Sequence, residues 1–204
     1  GFQNDTLPIS VVKGRKGSVY YQGLLKCGSI WRCPVCSYKL TEHKRKQVYF
    51  YSSEWQRKST ENKISFITLT IRHSKTTTLK KSLDNLLDEY RKFQRTSIYN
   101  RLKKQHGFIG FIKTVEITWS AENGWHPHLH LLVFHTSKYI DKMHQEFIEN
   151  WTKRETVKGS IKAQKCREVY SSAGITDYVT KWDISREMTA TLSKKAKGES
   201  LSPF

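Results

Sequence analysis

The chain of 204 residues carries 36 Lys and Arg against 18 Asp and Glu, a formal net charge of +18. That imbalance argues against an acidic or charge-balanced surface and is the electrostatic footprint of a nucleic-acid binder. No run of about 18 apolar residues occurs, which argues against a membrane-spanning helix, and no charged-then-apolar leader is read at the start, so a cytoplasmic protein is expected.

Residues 1–26 show little pattern beyond Gly14, Gly17 and Gly23, with a strand expected at 18–25. A cysteine cluster fills 27–36, a helix rich in Lys and Arg is expected over 37–57, and the polar stretch 58–63 reads as a linker. The organisation is therefore an N-terminal segment, 1–57, and a main domain, 58–204. From residue 64 the period changes. Ile67, Leu69 and Ile71 alternate with Thr68, Thr70 and Arg72, the mark of a half-buried strand over 64–72. Over 79–105, Leu79, Leu83, Leu86, Leu87, Tyr90 and Phe93 recur at helical spacing, and one helix is expected. Strands follow at 108–118 and 125–135. A helix is expected over 139–154 with Ile140, Met143, Phe147 and Trp151 inward. A strand at 160–169, a helix at 174–185 and a frayed tail from Glu187 complete the chain. The order β-α-β-β-α-β-α suggests an α+β fold, an antiparallel sheet with helices on one face. The other face then becomes a polar working surface.

That surface is richest in the segment Trp125-His-Pro-His-Leu-His-Leu-Leu-Val-Phe134. Alternate residues of a strand share a face, so His126, His128 and His130 form a row while Leu129 and Leu131 point into the core. Three core histidines in a row would each need a hydrogen-bond partner, which makes a purely structural row costly. A third ligand is expected from the preceding strand. If Glu122-Asn123-Gly124 forms a three-residue loop with Gly124 left-handed, Ala121 pairs with Trp125, Thr118 faces His128 and Glu116 faces His130. A register slipped by one residue sends Glu116 to the core, where an unpaired carboxylate is costly. Glu116 as a plain cross-strand surface charge is the alternative. Glu116, His128 and His130, with His126 a further candidate, form a set suited to Mn²⁺ or Mg²⁺; Zn²⁺, Co²⁺ or Ni²⁺ also suit it. Such a cation polarises a phosphate.

Ile175-Thr-Asp-Tyr-Val-Thr-Lys-Trp182 reads as a helix with Tyr178 and Lys181 on one face. A phenol has a reference pKa of about 10, so a neighbouring cation is needed to favour the nucleophilic phenolate. A packed ring beside a solvated amine is the bland alternative.

Of the four cysteines, Cys27, Cys33 and Cys36 lie together in Cys27-Gly-Ser-Ile-Trp-Arg-Cys33-Pro-Val-Cys36. Without an export signal this clustering suggests a structural zinc knuckle rather than disulfides. The fourth ligand is Cys166 or His43, with Cys166 preferred because a thiolate from the sheet would pin the knuckle to it.

Phe66-Ile-Thr-Leu-Thr70, the His-Pro-His-Leu-His strand and Tyr178-x-x-Lys181 stand in the order of the three motifs of plasmid rolling-circle replication initiators. Those proteins belong to the HUH endonuclease superfamily, named for its His-hydrophobic-His motif. The cysteine cluster resembles the one that precedes the nuclease domain in many of them, so the resemblance covers most of residues 24–185. It implies a five-stranded antiparallel sheet, a divalent metal on His128 and His130, and Tyr178 as the nucleophile. It also implies a 5′-phosphotyrosine link and a 3′-hydroxyl that primes synthesis. The expected partners are single-stranded and origin DNA, with a host helicase as a further one. Some members carry a glutamate one turn before the tyrosine to activate water; here that position is Gly174, and Asp177 or Glu168 are the substitutes. Tyr170 lies nearby. A transposase or relaxase shares the same site, and a non-catalytic, zinc-containing DNA-binding regulator is the reading from a different class.

Overall fold

The computed structural model describes residues 8–15, 17–23, 28 and 33–170. The chain divides into two compact units, Gly1–Leu40 and Thr41–Phe204, each described separately.

In the first unit β1 (Ser10–Lys13) and β2 (Val19–Gln22) pair with each other as an antiparallel hairpin in which Ser10 faces Gln22. Helix α1 (Pro34–Lys58), whose residues from Thr41 onward belong to the second unit, starts inside the cysteine cluster, three residues earlier than its periodicity suggests. Proline suits the first helical position because the N–H it lacks would have no partner there. Cys33 stands just before it and accepts the Cys36 N–H on its Sγ at 3.5 Å.

In the second unit, β3 (Lys63–Thr70), β4 (Phe108–Ser120), β5 (Gly124–His135) and β6 (Lys165–Glu168) form an antiparallel sheet in the order β4-β5-β3-β6. The described residues thus give this sheet four strands, not the five expected. Strand β6 is also shorter than the expected 160–169. A 3-10 turn occupies Ile161–Ala163, and the Gln164 side chain takes over the ladder by accepting the Thr70 N–H at 2.8 Å.

Alternation along β3 and β5 decides the two faces. Ile67, Leu69, Ile71, Leu129, Leu131 and Val133 are buried against α2 (Leu79–Gln94), α3 (Ser97–Gln105) and α4 (Ile140–Thr152), with Phe93, Phe147 and Trp151 at the centre. The single helix expected over 79–105 is two helices. Thr96 divides them: its hydroxyl donates to the Phe93 carbonyl at 2.7 Å and accepts the Tyr99 N–H at 3.1 Å, which caps the second helix.

The expectation of helices on one face only is corrected as well. On the opposite face Ile64, Phe66, Leu132 and Val169 form a second apolar cluster, against which Val48 and Trp55 of α1 pack. The Trp55 indole N–H donates to the Lys63 carbonyl at 3.2 Å. This face is therefore apolar at one end of β3 and polar at the other, where the histidines lie.

Candidate functional site

Strand alternation places His126, His128 and His130 of β5 on the face opposite α2–α4, with Thr70 opposite His128 and Thr68 opposite His130 on β3. On the other flank the β4–β5 register differs from the one expected. Ser120 pairs with Gly124 and Trp119 with Trp125, so the loop is 121–123 and Gly124 is already the first strand residue. Gly124 is left-handed as expected, with φ +74. The displacement is two residues, which preserves the face. Glu116 stands opposite His128 rather than His130, and Thr118 opposite His126. The Glu116 carboxylate nonetheless reaches diagonally to His130, Oε2 to Nε2 at 2.9 Å. The other nitrogen of His130, Nδ1, lies 3.0 Å from the Thr68 hydroxyl.

The rings form a column. His126 lies 4.1 Å from His128, and His128 lies 6.3 Å from His130 at an interplanar angle of 10°. Phe66 stacks on His130 at 5.2 Å, and the Arg167 guanidinium sits 5.0 Å over the Phe66 ring. At the other end His73 stacks on His126 at 4.1 Å and 22°. Burial, then the neighbouring His73, push His126 down to about 4; burial, then His126, push His128 down to about 3. Both rings are neutral at pH 7 and keep a lone pair for a ligand.

Two imidazoles and a carboxylate on one polar face are chemically suited to a divalent cation with room for phosphate oxygens. Among the described residues, however, no three His, Cys, Asp or Glu side chains stand as a ready cation site. Glu116 and His130 are bonded to each other instead. The hydroxyl of Thr68 donates or accepts equally well, so it can hold His130 in either neutral tautomer, including the one that leaves Nε2 open.

The remaining expected residues are placed as follows. Cys166 pairs with Ile67 and packs against the helix-covered core, where burial pushes its thiol up to about 12. His43 is exposed on α1. Glu168 pairs with Ser65 and so lies on the face away from the histidine row; Tyr170 is exposed and hydrogen-bonded to Glu168. Glu168 is therefore not placed to activate water at the row. Tyr178, Lys181, Asp177, Gly174 and Cys27 lie outside the described residues. Sequence reasoning missed His73 and Arg167. His73 follows β3 in a loop with no period to read, whereas Arg167 shares the alternation that places Phe66 on this face.

A four-stranded antiparallel sheet backed by helices, with a histidine–carboxylate row on its far face, defines an α+β protein with one polar, histidine-bearing sheet face. A family model described as replication protein matches residues 25–188, and the chain belongs to that family, Rep_1. It is 26% identical over 155 residues to the protein rep of Streptomyces lividans, covering 61% of this chain and 33% of that protein. It is 28% identical over 145 residues to the neomycin resistance protein of Streptomyces cyanogenus (57% and 32%). It is 24% identical over 122 residues to the protein rep of Streptococcus pneumoniae serotype 2 (58% and 37%). The chain spans about a third of the length of these relatives. No solved structure matches it. No helix among the described residues is long and apolar enough to cross a membrane.

Proposed function

We propose that the chain is the DNA-nicking part of a plasmid replication initiator: a single-stranded-DNA endonuclease and strand transferase that opens an origin for rolling-circle replication. The observation that carries this reading is that Glu116 stands opposite His128 and is bonded to His130 on one polar sheet face, in a chain of the replication protein family. The order of the sequence motifs supports Tyr178 as the nucleophile.

The Tyr178 phenol oxygen attacks the scissile phosphorus. A phosphorus–oxygen bond to Tyr178 forms and the bond to the 3′ oxygen breaks. The phenol proton leaves to solvent, and the departing oxygen takes a proton to become a 3′-hydroxyl. The product is a 5′-phosphotyrosine, and return of the hydroxyl reverses the step. Lys181, three residues after Tyr178 in the sequence, lends charge to the phosphate. Glu116, His128 and His130, with His126 as a further ligand, would hold Mn²⁺ or Mg²⁺, which supplies Lewis-acid polarisation of a phosphate oxygen.

The division of labour follows the sequence. Residues 1–57 carry a zinc knuckle on Cys27, Cys33 and Cys36, and residues 58–204 the nuclease. The Cys36 N–H donated to Cys33 Sγ supports a knuckle at this turn. Cys166 completes the zinc ligand set, with His43 as the competitor. Zinc content of the Cys166→Ser and His43→Ala variants separates the two. Origin DNA and a host helicase are the proposed partners, in the cytoplasm.

The test is cleavage of a labelled single-stranded oligonucleotide library with Mn²⁺, with and without EDTA. Cleavage that EDTA abolishes supports the reading. DNA binding without cleavage at any metal concentration replaces it with a zinc-containing DNA-binding regulator.

A further inference from the structure

We infer that His73 is a base-stacking residue for single-stranded DNA, a contact that deepens the nuclease reading and rests on it. His73 stacks on His126 at 4.1 Å and 22°, His126 meets His128 at 4.1 Å with a tilt of 43°, and His128 lies parallel to His130 at 6.3 Å. Phe66, which has no donor atom, takes the same place beyond His130 at 5.2 Å. Stacking, not ligation, is therefore the contact that continues the column past its metal-suited members. His73 is its outer end. Among the described residues no ring covers the face of His73 turned away from His126. An unstacked nucleobase is a planar ring of the right kind to add the next step, and every base has such a face.

The loop that presents His73 is a built support. The Arg72 N–H donates to the Val157 carbonyl at 2.9 Å, and the Thr77 N–H closes a turn on the Ser74 carbonyl at 3.0 Å. Ser74 Oγ bonds Thr77 Oγ1 at 2.7 Å and Thr76 Oγ1 at 3.2 Å. The backbone of Lys75 rests on the β4–β5 turn so closely that a Cβ on Gly124 would stand 3.0 Å from Lys75 Cα. That contact fixes the loop to the strand bearing His126. From Ile71 to Leu83 the sequence has no Asp or Glu, and Arg72 and Lys75 are exposed beside His73. A planar ring flanked by two exposed cations matches a nucleotide, base on the ring and phosphates on the cations.

The experiment uses the Tyr178→Phe protein in EDTA, so that binding is read without cleavage. Fluorescence anisotropy follows a labelled single-stranded oligonucleotide and an abasic oligonucleotide of equal length. His73→Ala should weaken binding of the base-bearing strand roughly five- to a hundredfold and leave the abasic strand unchanged. His73→Phe, which keeps the ring and removes its nitrogens, should restore binding of the base-bearing strand. If His73→Ala binds that strand as tightly as the parent, or His73→Phe is as weak as His73→Ala, the inference is overturned while the nuclease reading stands. A parent protein that binds no single-stranded DNA overturns the nuclease reading, and the inference with it.

Discussion

Glu116 faces His128 across the β4–β5 ladder, yet its carboxylate bonds His130, two pairs further along, at 2.9 Å. The diagonal reach bonds the carboxylate to His130 Nε2, while the Thr68 hydroxyl lies behind the ring at Nδ1. Loss of the Glu116 carboxylate should therefore cost metal affinity rather than the fold. Glu116→Ala should lose Mn²⁺ binding by titration calorimetry and keep single-stranded DNA binding in EDTA.

Thr68 gives a separate test of the same geometry. Thr68→Val keeps the shape and removes the partner of His130 Nδ1. Loss of such a supporting partner costs roughly 10–100-fold in metal affinity, so the Mn²⁺ dependence of cleavage should move to higher concentration. An unchanged dependence means the Thr68 hydroxyl does not orient His130.

Gly124 is the position where the backbone leaves least room. Its φ is +74 and an added Cβ would lie 3.0 Å from both Cα and O of Lys75. Left-handed backbone costs a non-glycine residue about 1–2 kcal/mol before any clash. Gly124→Ala should lower stability by at least about that amount in urea denaturation. It should also weaken single-stranded DNA binding, by displacing the loop that carries His73.

How much of this was legible in the sequence depended on local period. The alternation of Ile67, Leu69 and Ile71, and of Leu129, Leu131 and Val133, identified the core face and hence the face of the histidine row. The same parity kept Glu116 on that face although its partner was misplaced. The misplacement came from treating Gly124 as a loop residue, since a left-handed glycine fits either a loop end or a strand start. The break at Thr96 was hidden because the apolar spacing before it continues into the next helix. α1 on the far face was hidden because Val48 and Trp55 are two apolar contacts on a helix otherwise rich in Lys and Arg. His73 reaches the site only through the packing of its loop on another turn, which no local pattern records.

Acid should loosen the fold through His135. The ring is fully buried, its Nδ1 accepts the Ser137 N–H at 3.2 Å and its Nε2–H donates to Ser65 Oγ at 2.9 Å. Burial, then His144, His106 and Lys63, push it down to about 4. A depressed histidine favours the folded state above the unfolded pKa of about 6.5, and that advantage is lost as pH falls towards the folded value. Denaturant midpoints should therefore drop between about pH 6.5 and 4, with a slope from this group of at most about 1.4 kcal/mol per pH unit. His126 and His128 titrate in the same direction, so His135→Asn should shrink the dependence without removing it. An identical pH dependence in that variant would exclude His135 as a contributor.

Glu89 anchors the opposite side of the molecule. It is buried on α2 and bonded to Arg154 and Thr156. Burial raises its carboxyl, but the bonds from Thr156 and Arg154 outweigh that and hold it below the ordinary value. Its contribution is present above an unfolded pKa of about 4.3 and is lost as pH falls through the lower folded value. Removing one partner of a buried pair costs about 3–5 kcal/mol, and less here because Arg154 keeps some access to water. Glu89→Ala should unfold at markedly lower urea with DNA cleavage per folded molecule intact; a midpoint equal to wild type would contradict the pairing.

The most direct test of the central claim is peptide mapping by mass spectrometry after incubation with single-stranded DNA and Mn²⁺. The account predicts a nucleotide adduct on the peptide containing Tyr178, absent in EDTA and absent in Tyr178→Phe. Cleavage by Tyr178→Phe at the wild-type rate, or an adduct on another residue, would contradict it.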